Sequence, residues 1–301
     1  MLLPFWEKYV DITALTSEKK DIFDNYLHAY LSAADTSSGI FKAFAYSLKA
    51  GGKRIRPVLT MLACECLGGK AEDTLPAGLA IEMVHTFSLI HDDLPALDND
   101  DLRRGRPTCH ARFGEATAIL AGDALIFQAL SVITAAGYSP RIKLDILEFM
   151  AEVCGVKGLV QGEHHDVMAE GKEVSMDEVC DIYRRKTARL FELCMFAGAR
   201  IAGGAREQIE PLVGFGTYLG LAFQAIDDIL DVTSSREVLG KSTGKDLAQG
   251  KATIVKALGL QESRRWARDM TEKAVGLLPA ENGFRTENLK ELALSMLERV
   301  A

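Results

Sequence analysis

The chain has 301 residues, of which 48% are hydrophobic and 26% are charged, and it contains only 8 prolines. This composition is typical of a globular protein with a large core and argues against a disordered chain. The net charge of −7 argues against a general attraction to nucleic acid or to an anionic membrane. An anionic ligand would therefore have to be bound by local groups of basic residues.

Helical periodicity extends through most of the chain. Apolar residues recur at the spacing of one helix face, and β-branched runs with alternating polarity are hard to find. The sequence therefore predicts an all-α protein of about ten or more helices, in a single domain over residues 1–301. We expect helix breaks where glycine, proline or small polar residues cluster, at 36–39, 50–52, 68–70, 137–140, 171, 203–204 and 233–250.

Two segments bear on membranes and location. Residues 1–20 lack the basic start and the small-residue cleavage site of a secretory signal, which predicts a cytoplasmic protein. Residues 118–137 are apolar over about the length of a membrane span, but Asp123 and Gln128 interrupt them. We expect this segment to be a buried core helix and the protein to have no membrane span.

The first acidic segment is HDDLPALDNDDLRRGR, at residues 91–106. Thr74-Leu75-Pro76 predicts the start of a helix that runs for about five turns until Pro95 disrupts it. Asp92 and its neighbour then lie near the helix C-terminus, where they meet the negative end of the helix dipole as well as each other. This arrangement needs a cation, so the sequence predicts a metal site. We expect the break at Pro95 to let Asp98 fold back toward Asp92.

A second acidic segment, FQAIDDILD, occupies residues 223–231 and has apolar flanks. On a helix, Gln224, Asp227 or Asp228, and Asp231 fall on one face, which presents an amide and at least two carboxylates. Hard oxygen ligands in this number favour Mg²⁺ over zinc.

Basic residues form four separate groups, in GGKRIRP at 51–57, RRGR at 103–106, RRKTARL at 184–190 and GKSTGKDLAQGK at 240–251. Mg²⁺ commonly binds through carboxylates together with substrate phosphates, and arginine and lysine complete the phosphate shell. The acidic and basic groups together predict a phosphate-rich ligand in a helical cavity. A nucleotide-binding loop of the GxxxxGK[ST] type is absent from the sequence.

In this order, the segments resemble those of the trans-prenyl diphosphate synthases, most closely the bacterial-type farnesyl diphosphate synthases. The resemblance runs through GGKRIRP (51–57), EMVHTFSLIHDDLPALDNDDLRRGRPTCH (82–110), FGEATAILAGDAL (113–125), KTARLF (186–191), FQAIDDILD (223–231) and GKSTGKDLAQGKAT (240–253). It implies an all-α, single-domain bundle of the isoprenoid-synthase type around a central cavity, and a homodimer. It also implies that isopentenyl diphosphate is condensed head to tail with dimethylallyl and geranyl diphosphate to give farnesyl diphosphate.

The same resemblance implies roles for individual residues. Mg²⁺, as three ions when substrate is bound, would be held by Asp92, Asp93, Asp98, Asp227, Asp228 and Asp231. The allylic diphosphate and its reacting carbon would be lined by the catalytic candidates Arg103, Lys186, Thr187 and Gln224, together with Lys241 and Lys251. Isopentenyl diphosphate would be bound by Lys53, Arg56, His85 and Arg104. Breaking the allylic C–O bond leaves a carbocation and a highly charged diphosphate, which metal ions and basic residues stabilise without a nucleophile triad.

Product length is implied by the residues that precede Asp92. Phe87 lies five positions earlier, about 7–8 Å along a helix axis. In the family, an aromatic residue here, with two extra residues between the second and third aspartates, is typical of farnesyl diphosphate synthases. A helical wheel places Ser88 nearer than Phe87 to the face of Asp92, which makes Ser88 a second chain-length candidate. Glu163 departs from the family pattern, in which glutamine follows Gly162, and puts an extra charge near the expected reaction chamber.

Three other functions stay open. A product of 20 carbons would make the protein a geranylgeranyl diphosphate synthase. A non-catalytic subunit could bind prenyl diphosphates for another synthase, although it would not need a full set of metal-binding aspartates. A terpene cyclase or head-to-head synthase is disfavoured by Lys53, Arg56 and Arg104, because a cyclase has no second diphosphate to hold.

Overall fold

The computed structural model describes residues 12–33, 37–233, 250–280 and 283–300. Within these ranges the α-helices are α1 Ile12–Ala33, α2 Gly39–Leu48, α3 Ile55–Cys66, α4 Leu75–Asp92, α5 Cys109–Phe113, α6 Glu115–Ala135, α7 Pro140–Cys154, α8 Leu159–Ala169, α9 Met176–Tyr183, α10 Arg189–Ile201, α11 Arg206–Thr233, α12 Ile254–Leu258, α13 Leu260–Leu277 and α14 Glu287–Glu298. A 3₁₀ turn spans Ala71–Thr74, and a π-helical turn spans Arg184–Ala188 between α9 and α10. The all-α prediction is confirmed.

Most expected helix breaks are confirmed, since α2, α3, α6, α8 and α10 each end at or just before one of them. Parts of the breaks at 36–39 and 233–250 lie outside the described residues. The sequence did not reveal the break at 155–158 between α7 and α8. It also did not reveal a short antiparallel hairpin, with strands β1 Leu102–Arg103 and β2 Arg106–Pro107. Arg104 and Gly105 both have positive φ in its turn, a conformation that is uncommon for arginine.

The helices pack around one continuous apolar core that extends from Phe23 in α1 to Val300 after α14. α4 lies along α6, α10 packs between α3 and α11, and α13 covers another side of α11. The π-helical turn contacts both α8 and α11. Its approach to α11 is close, because a Cβ at Gly220 would lie 2.5 Å from Ala188 Cα. This packing joins the segment that contains Lys186 to the helix that carries the second acidic segment.

Helix α6 differs from the expected fully buried helix. Ala121 and Leu125 are buried on the side that faces α4, whereas Ile119 and Leu120 are exposed and Phe127 is 71% exposed. The prediction was wrong for this outer side, because the described neighbours of α6, which are α2, α4, α5 and α7, leave these side chains uncovered. By length and composition, α6 and α11 could cross a membrane, but core helices often pass the same test, so this is weak evidence for a span.

Candidate active site

The first acidic segment folds back on itself at the end of α4. The Asp98 amide donates to the Asp92 carbonyl at 2.8 Å, and the Asp100 amide donates to the Asp93 carbonyl at 3.1 Å. The helix stops three residues before Pro95, as the sequence predicts. The loop therefore brings the backbone of Asp98 against the helix end, and Asp92 and Asp93 are both buried there.

Two cationic side chains pair with this loop. Arg103, on β1, donates through Nε to both carboxylate oxygens of Asp93 at 2.8 and 3.0 Å, and its Nη2 lies 2.7 Å from Oδ1. Lys251 Nζ lies 2.7 Å from Asp98 Oδ1. The backbone next to Lys251 is held by a hydrogen bond from the Gly171 amide to the Gly250 carbonyl at 3.1 Å. Residues predicted to bind diphosphate thus pair with residues predicted to bind metal.

Lys186 projects from the π-helical turn into the same cluster. Its Nζ lies 2.6 Å from Asp166 Oδ2 and 2.7 Å from Glu163 Oε2, both on α8. Burial raises the pKa of Asp92, the charges of Glu163 and Asp98 raise it further, and the cationic Lys186 opposes them. The buried carboxyl of Asp92 is therefore held in a position where an added cation would stabilise its charged form.

The second acidic segment is tied to the π-helical turn by a chain of hydrogen bonds. Thr187 Oγ1 donates to Gln224 Oε1 at 2.8 Å, and Gln224 Nε2 donates to Asp228 Oδ1 at 3.1 Å. The other carboxylate oxygen of Asp228 accepts from the Tyr183 hydroxyl and from the Ile254 amide. Asp228 is buried, and its carboxylate is thus largely satisfied by donors of the protein itself.

Asp227 and Asp231 lie in different surroundings from Asp228. Asp227 is close enough to Lys53 and Arg56 for its charge to raise the pKa of both, although burial lowers the pKa of each more strongly. The Oδ2 atom of Asp231 is buried and has no hydrogen-bond partner within the part of the chain that the structure describes. A buried acceptor of this kind is costly unless a donor or a cation satisfies it.

The residues predicted to bind isopentenyl diphosphate lie together. Arg104 donates from Nη1 to the Gly51 carbonyl, and its guanidinium lies over the turn that precedes Lys53. Burial and the nearby charges of four arginines, Arg56 and Arg104 foremost, hold the pKa of His85 well below that of a free histidine. Arg56 is only 8% exposed, and its Nε has no hydrogen-bond partner among residues 12–33, 37–233, 250–280 and 283–300. A buried guanidinium with an unsatisfied donor nitrogen favours the binding of an anion.

The two chain-length candidates face different neighbours on α4. The Phe87 ring is buried and makes an edge-to-face contact with the His91 ring, with centroids 5.7 Å apart. His91 in turn lies against α6, where its Nε2 is 3.0 Å from the Ile119 carbonyl. Ser88 is half-buried and donates to the His85 carbonyl at 2.9 Å. The roles of Phe87 and Ser88 in product length stay predictions.

The donor set around these acidic segments fits Mg²⁺, which prefers carboxylate oxygens. The unpartnered Oδ2 of Asp231 is an acceptor that a cation can satisfy. No three acidic, histidine or cysteine side chains of the described residues form a ready-made metal site. A divalent cation at the predicted ligands Asp93 and Asp98 would therefore have to displace Arg103 from the first and Lys251 from the second.

Several residues of the site were not found from the sequence. Asp166 pairs with Lys186, and Tyr183 donates to the carboxylate of Asp228. Burial of an aspartate predicts that donors surround it, but the sequence does not identify which ones. Arg54 lies in the sequence between the predicted ligands Lys53 and Arg56, but its guanidinium forms a buried network with Asp24, Glu82 and the Leu48 carbonyl. Lys241 lies outside the described residues.

Comparison with known proteins decides the family. The family model described as Polyprenyl synthetase matches residues 38–287. The chain belongs to this family. It is 40% identical over 256 residues to the farnesyl diphosphate synthase of Bacillus subtilis, covering 84% of this chain and 86% of that protein. It is also 42% identical over 288 residues to geranylgeranyl pyrophosphate synthase 7 of Arabidopsis thaliana, covering 94% of this chain and 82% of that protein.

Solved structures of polyprenyl synthetase relatives share the fold over nearly the whole chain. The Helicobacter pylori geranyltransferase, crystallised with magnesium and an isoprenyl diphosphate, aligns with a TM-score of 0.86 and 30% identity, covering 97% of this chain and 99% of that chain. The isoprenoid-synthase-type bundle is thus confirmed. The protein is a trans-prenyl diphosphate synthase, a prenyltransferase that acts on isopentenyl and allylic diphosphates.

Proposed function

We propose that this prenyltransferase is a Mg²⁺-dependent farnesyl diphosphate synthase. It would extend dimethylallyl diphosphate with two isopentenyl units, through geranyl diphosphate. The observation that carries the proposal is the presence of two separate cationic groups beside the carboxylates: Lys186, Arg103 and Lys251 on one side, and Lys53, Arg56 and Arg104 on the other. A condensation of two diphosphates needs two such groups, whereas a terpene cyclase needs only one.

The allylic diphosphate would be bound by Lys186, Arg103 and Lys251 after these side chains exchange their carboxylate partners for phosphate oxygens. Mg²⁺, proposed as three ions on the six aspartates, supplies positive charge that stabilises the departing diphosphate. The hydrogen-bonded oxygen atoms of Thr187 and Gln224 would lie near the reacting carbon and stabilise its positive charge. Lys241, which lies outside the described residues, stays a predicted ligand of the same diphosphate.

Isopentenyl diphosphate would be bound by Arg56, Arg104 and Lys53, with His85 as a neutral donor among them. The depressed pKa of His85 supports a neutral ring near neutral pH. The carbocation would add to the isopentenyl double bond, and a proton would leave to the released diphosphate. No side chain of the protein is required as a nucleophile.

The proposed product has 15 carbons. Support for a 15-carbon product comes from the aromatic Phe87 below Asp92 and from the similarity to bacterial farnesyl diphosphate synthases. Geranylgeranyl diphosphate is a second candidate product, because plant geranylgeranyl pyrophosphate synthases are at least as similar to this chain.

Three further features stay predictions. The exposed apolar side of α6, with Ile119, Leu120 and Phe127, supports a homodimer in which a second copy covers this surface. Sedimentation equilibrium of the unaltered protein and of Phe127→Glu tests it, because the variant should then be monomeric. A single domain over residues 1–301 and a cytoplasmic location are also still expectations from the sequence.

Incorporation of labelled isopentenyl diphosphate into prenyl products tests the reaction class. The unaltered protein, alone with dimethylallyl diphosphate and Mg²⁺, should form products, and EDTA should abolish them. Failure to incorporate label even in the presence of Mg²⁺ would instead favour the non-catalytic subunit. Release of diphosphate from geranyl or farnesyl diphosphate, without any incorporation of isopentenyl label, would favour a cyclase.

A further inference from the structure

The ammonium of Lys186 is shared between two carboxylates of α8. The side chains of Glu163 and Asp166 are only 18% and 11% exposed, and both lie in ion-pair contact with Lys186 Nζ. Asp92 is also near enough for its charge to act on Lys186. One ammonium group therefore faces three carboxylates.

The neighbouring ion pairs do not offset this excess of negative charge. Arg103 pairs with Asp93, and Lys251 pairs with Asp98, so each of these cations is matched to one carboxylate. Over this described cluster, three cationic side chains face five carboxylates, those of Asp92, Asp93 and Asp98 in the first acidic segment and those of Glu163 and Asp166 on α8. The carboxylates of the cluster thus outnumber its cationic side chains by two before any ligand binds.

A diphosphate bound at Lys186 would add to the excess. Without a divalent cation the ligand meets like charge, and Lys186 must leave two carboxylates to reach phosphate oxygens. With divalent cations on the aspartates the local charge is reversed, and the same exchange becomes favourable. Glu163 contributes to this balance without belonging to either aspartate segment.

We propose that Glu163 is a positioning residue, one that holds Lys186 in the ligand-free enzyme and makes diphosphate binding depend on divalent metal. The inference rests on the proposed role of Lys186 as a ligand of the allylic diphosphate. Anchoring α8 to the π-helical turn does not require Glu163. The backbones already touch, since a Cβ at Gly162 would lie 2.4 Å from the Lys186 amide nitrogen, and Asp166 holds the same ammonium.

Glu163→Gln is the sharpest test, because glutamine keeps the shape and an acceptor for Lys186 while it removes one charge. In EDTA, the variant should bind inorganic pyrophosphate about tenfold more tightly than the unaltered protein, because one nearby like charge is gone. With saturating Mg²⁺ the two affinities should agree within about twofold, since the bound cations then dominate the local charge. Glu163→Asp keeps the charge and should behave as the unaltered protein does.

A matched control is Glu210→Gln, which removes the same charge from an exposed ion pair with Arg206 at the start of α11. Titration calorimetry with pyrophosphate gives the affinities. A second readout is the ratio of the KM for geranyl diphosphate at limiting Mg²⁺ to the KM at saturating Mg²⁺. This ratio should fall about tenfold in Glu163→Gln and stay unchanged in Glu210→Gln.

Equal KM ratios in Glu163→Gln and the unaltered enzyme would overturn the inference. A loss of affinity that is the same with and without metal would also overturn it, because a purely structural residue acts in that way. These experiments distinguish failure of this inference from failure of the proposed function. Absence of condensation by the unaltered protein refutes the function, whereas an active unaltered enzyme with an unaffected Glu163→Gln refutes this inference alone.

Discussion

Arg54 and Arg56 are two residues apart, and replacing each by glutamine should have opposite consequences. Arg54 donates from Nε to Asp24 at 2.9 Å, from Nη1 to Glu82 at 2.8 Å, and from Nη2 to the Leu48 carbonyl at 2.6 Å. Arg54 and Glu82 are only 5% and 3% exposed. The buried carboxylate of Glu82 therefore depends on this guanidinium.

Arg54→Gln should lower the free energy of unfolding by about 3–5 kcal/mol, the usual cost of leaving one member of a buried ion pair without its partner. Arg56→Gln should leave the free energy of unfolding unchanged or raise it, because the Nε of Arg56 is buried without a described partner and burial lowers its pKa. Instead, it should raise the KM for isopentenyl diphosphate about 10- to 100-fold through the loss of a charged hydrogen bond.

Urea denaturation in a buffer free of phosphate and sulfate, together with steady-state kinetics on both substrates, measures these effects. The KM for the allylic substrate serves as an internal control, since Arg56 is assigned to the other diphosphate. An Arg54→Gln variant as stable as the unaltered protein would contradict the importance of the buried pair with Glu82. An Arg56→Gln variant that is strongly destabilised, with an unchanged KM for isopentenyl diphosphate, would contradict the assignment of Arg56 as an anion ligand.

Three further substitutions test other parts of the site. Gly162→Ala should lower the free energy of unfolding, measured by urea denaturation, by about 1–3 kcal/mol, and it should lower kcat because it displaces Lys186. Its control is Gly276→Ala, which has open space around it and should be neutral or slightly stabilising. An unchanged kcat in Gly162→Ala would contradict the close contact. Because the pKa of His85 is depressed, the unfolded chain takes up a proton near pH 6.5 that the native ring does not. As the pH is lowered below 6.5, the free energy of unfolding should therefore decrease by up to about 1.4 kcal/mol per pH unit, and His85→Gln should lack this contribution. Parallel profiles of unfolding free energy against pH for the variant and the unaltered protein would contradict this role of His85. Phe87→Ala should shift the products toward 20 carbons or more by mass analysis, and an unchanged product length would remove Phe87 as the length-determining residue.

The local features of the site follow from the sequence to a large extent. The start of α4 near Pro76, its end before Pro95 and the return of Asp98 are properties of a few neighbouring residues, and the structure has all three. The grouping of the basic residues around His85 also agrees with the resemblance. These features are set by proline geometry and by short loops, which a sequence shows directly.

Pairings between distant elements could not be predicted in the same way. Lys251 and Asp98 are separated by 153 residues, and Tyr183 reaches Asp228 across 45. Such contacts depend on how α9, α11 and the end of α4 pack, which hydrophobic periodicity does not specify. The outer side of α6 shows the same limit, because an apolar sequence does not reveal whether a neighbour covers it.

Product analysis of the purified protein distinguishes a farnesyl diphosphate synthase from the other candidate functions. The protein would be incubated with dimethylallyl diphosphate, an excess of isopentenyl diphosphate and Mg²⁺, and the dephosphorylated products would be resolved by mass. We predict farnesol as the main alcohol, with geraniol as a transient intermediate and no product in EDTA. A main product of 20 carbons, or no prenyl product at all, would contradict the assignment as a farnesyl diphosphate synthase.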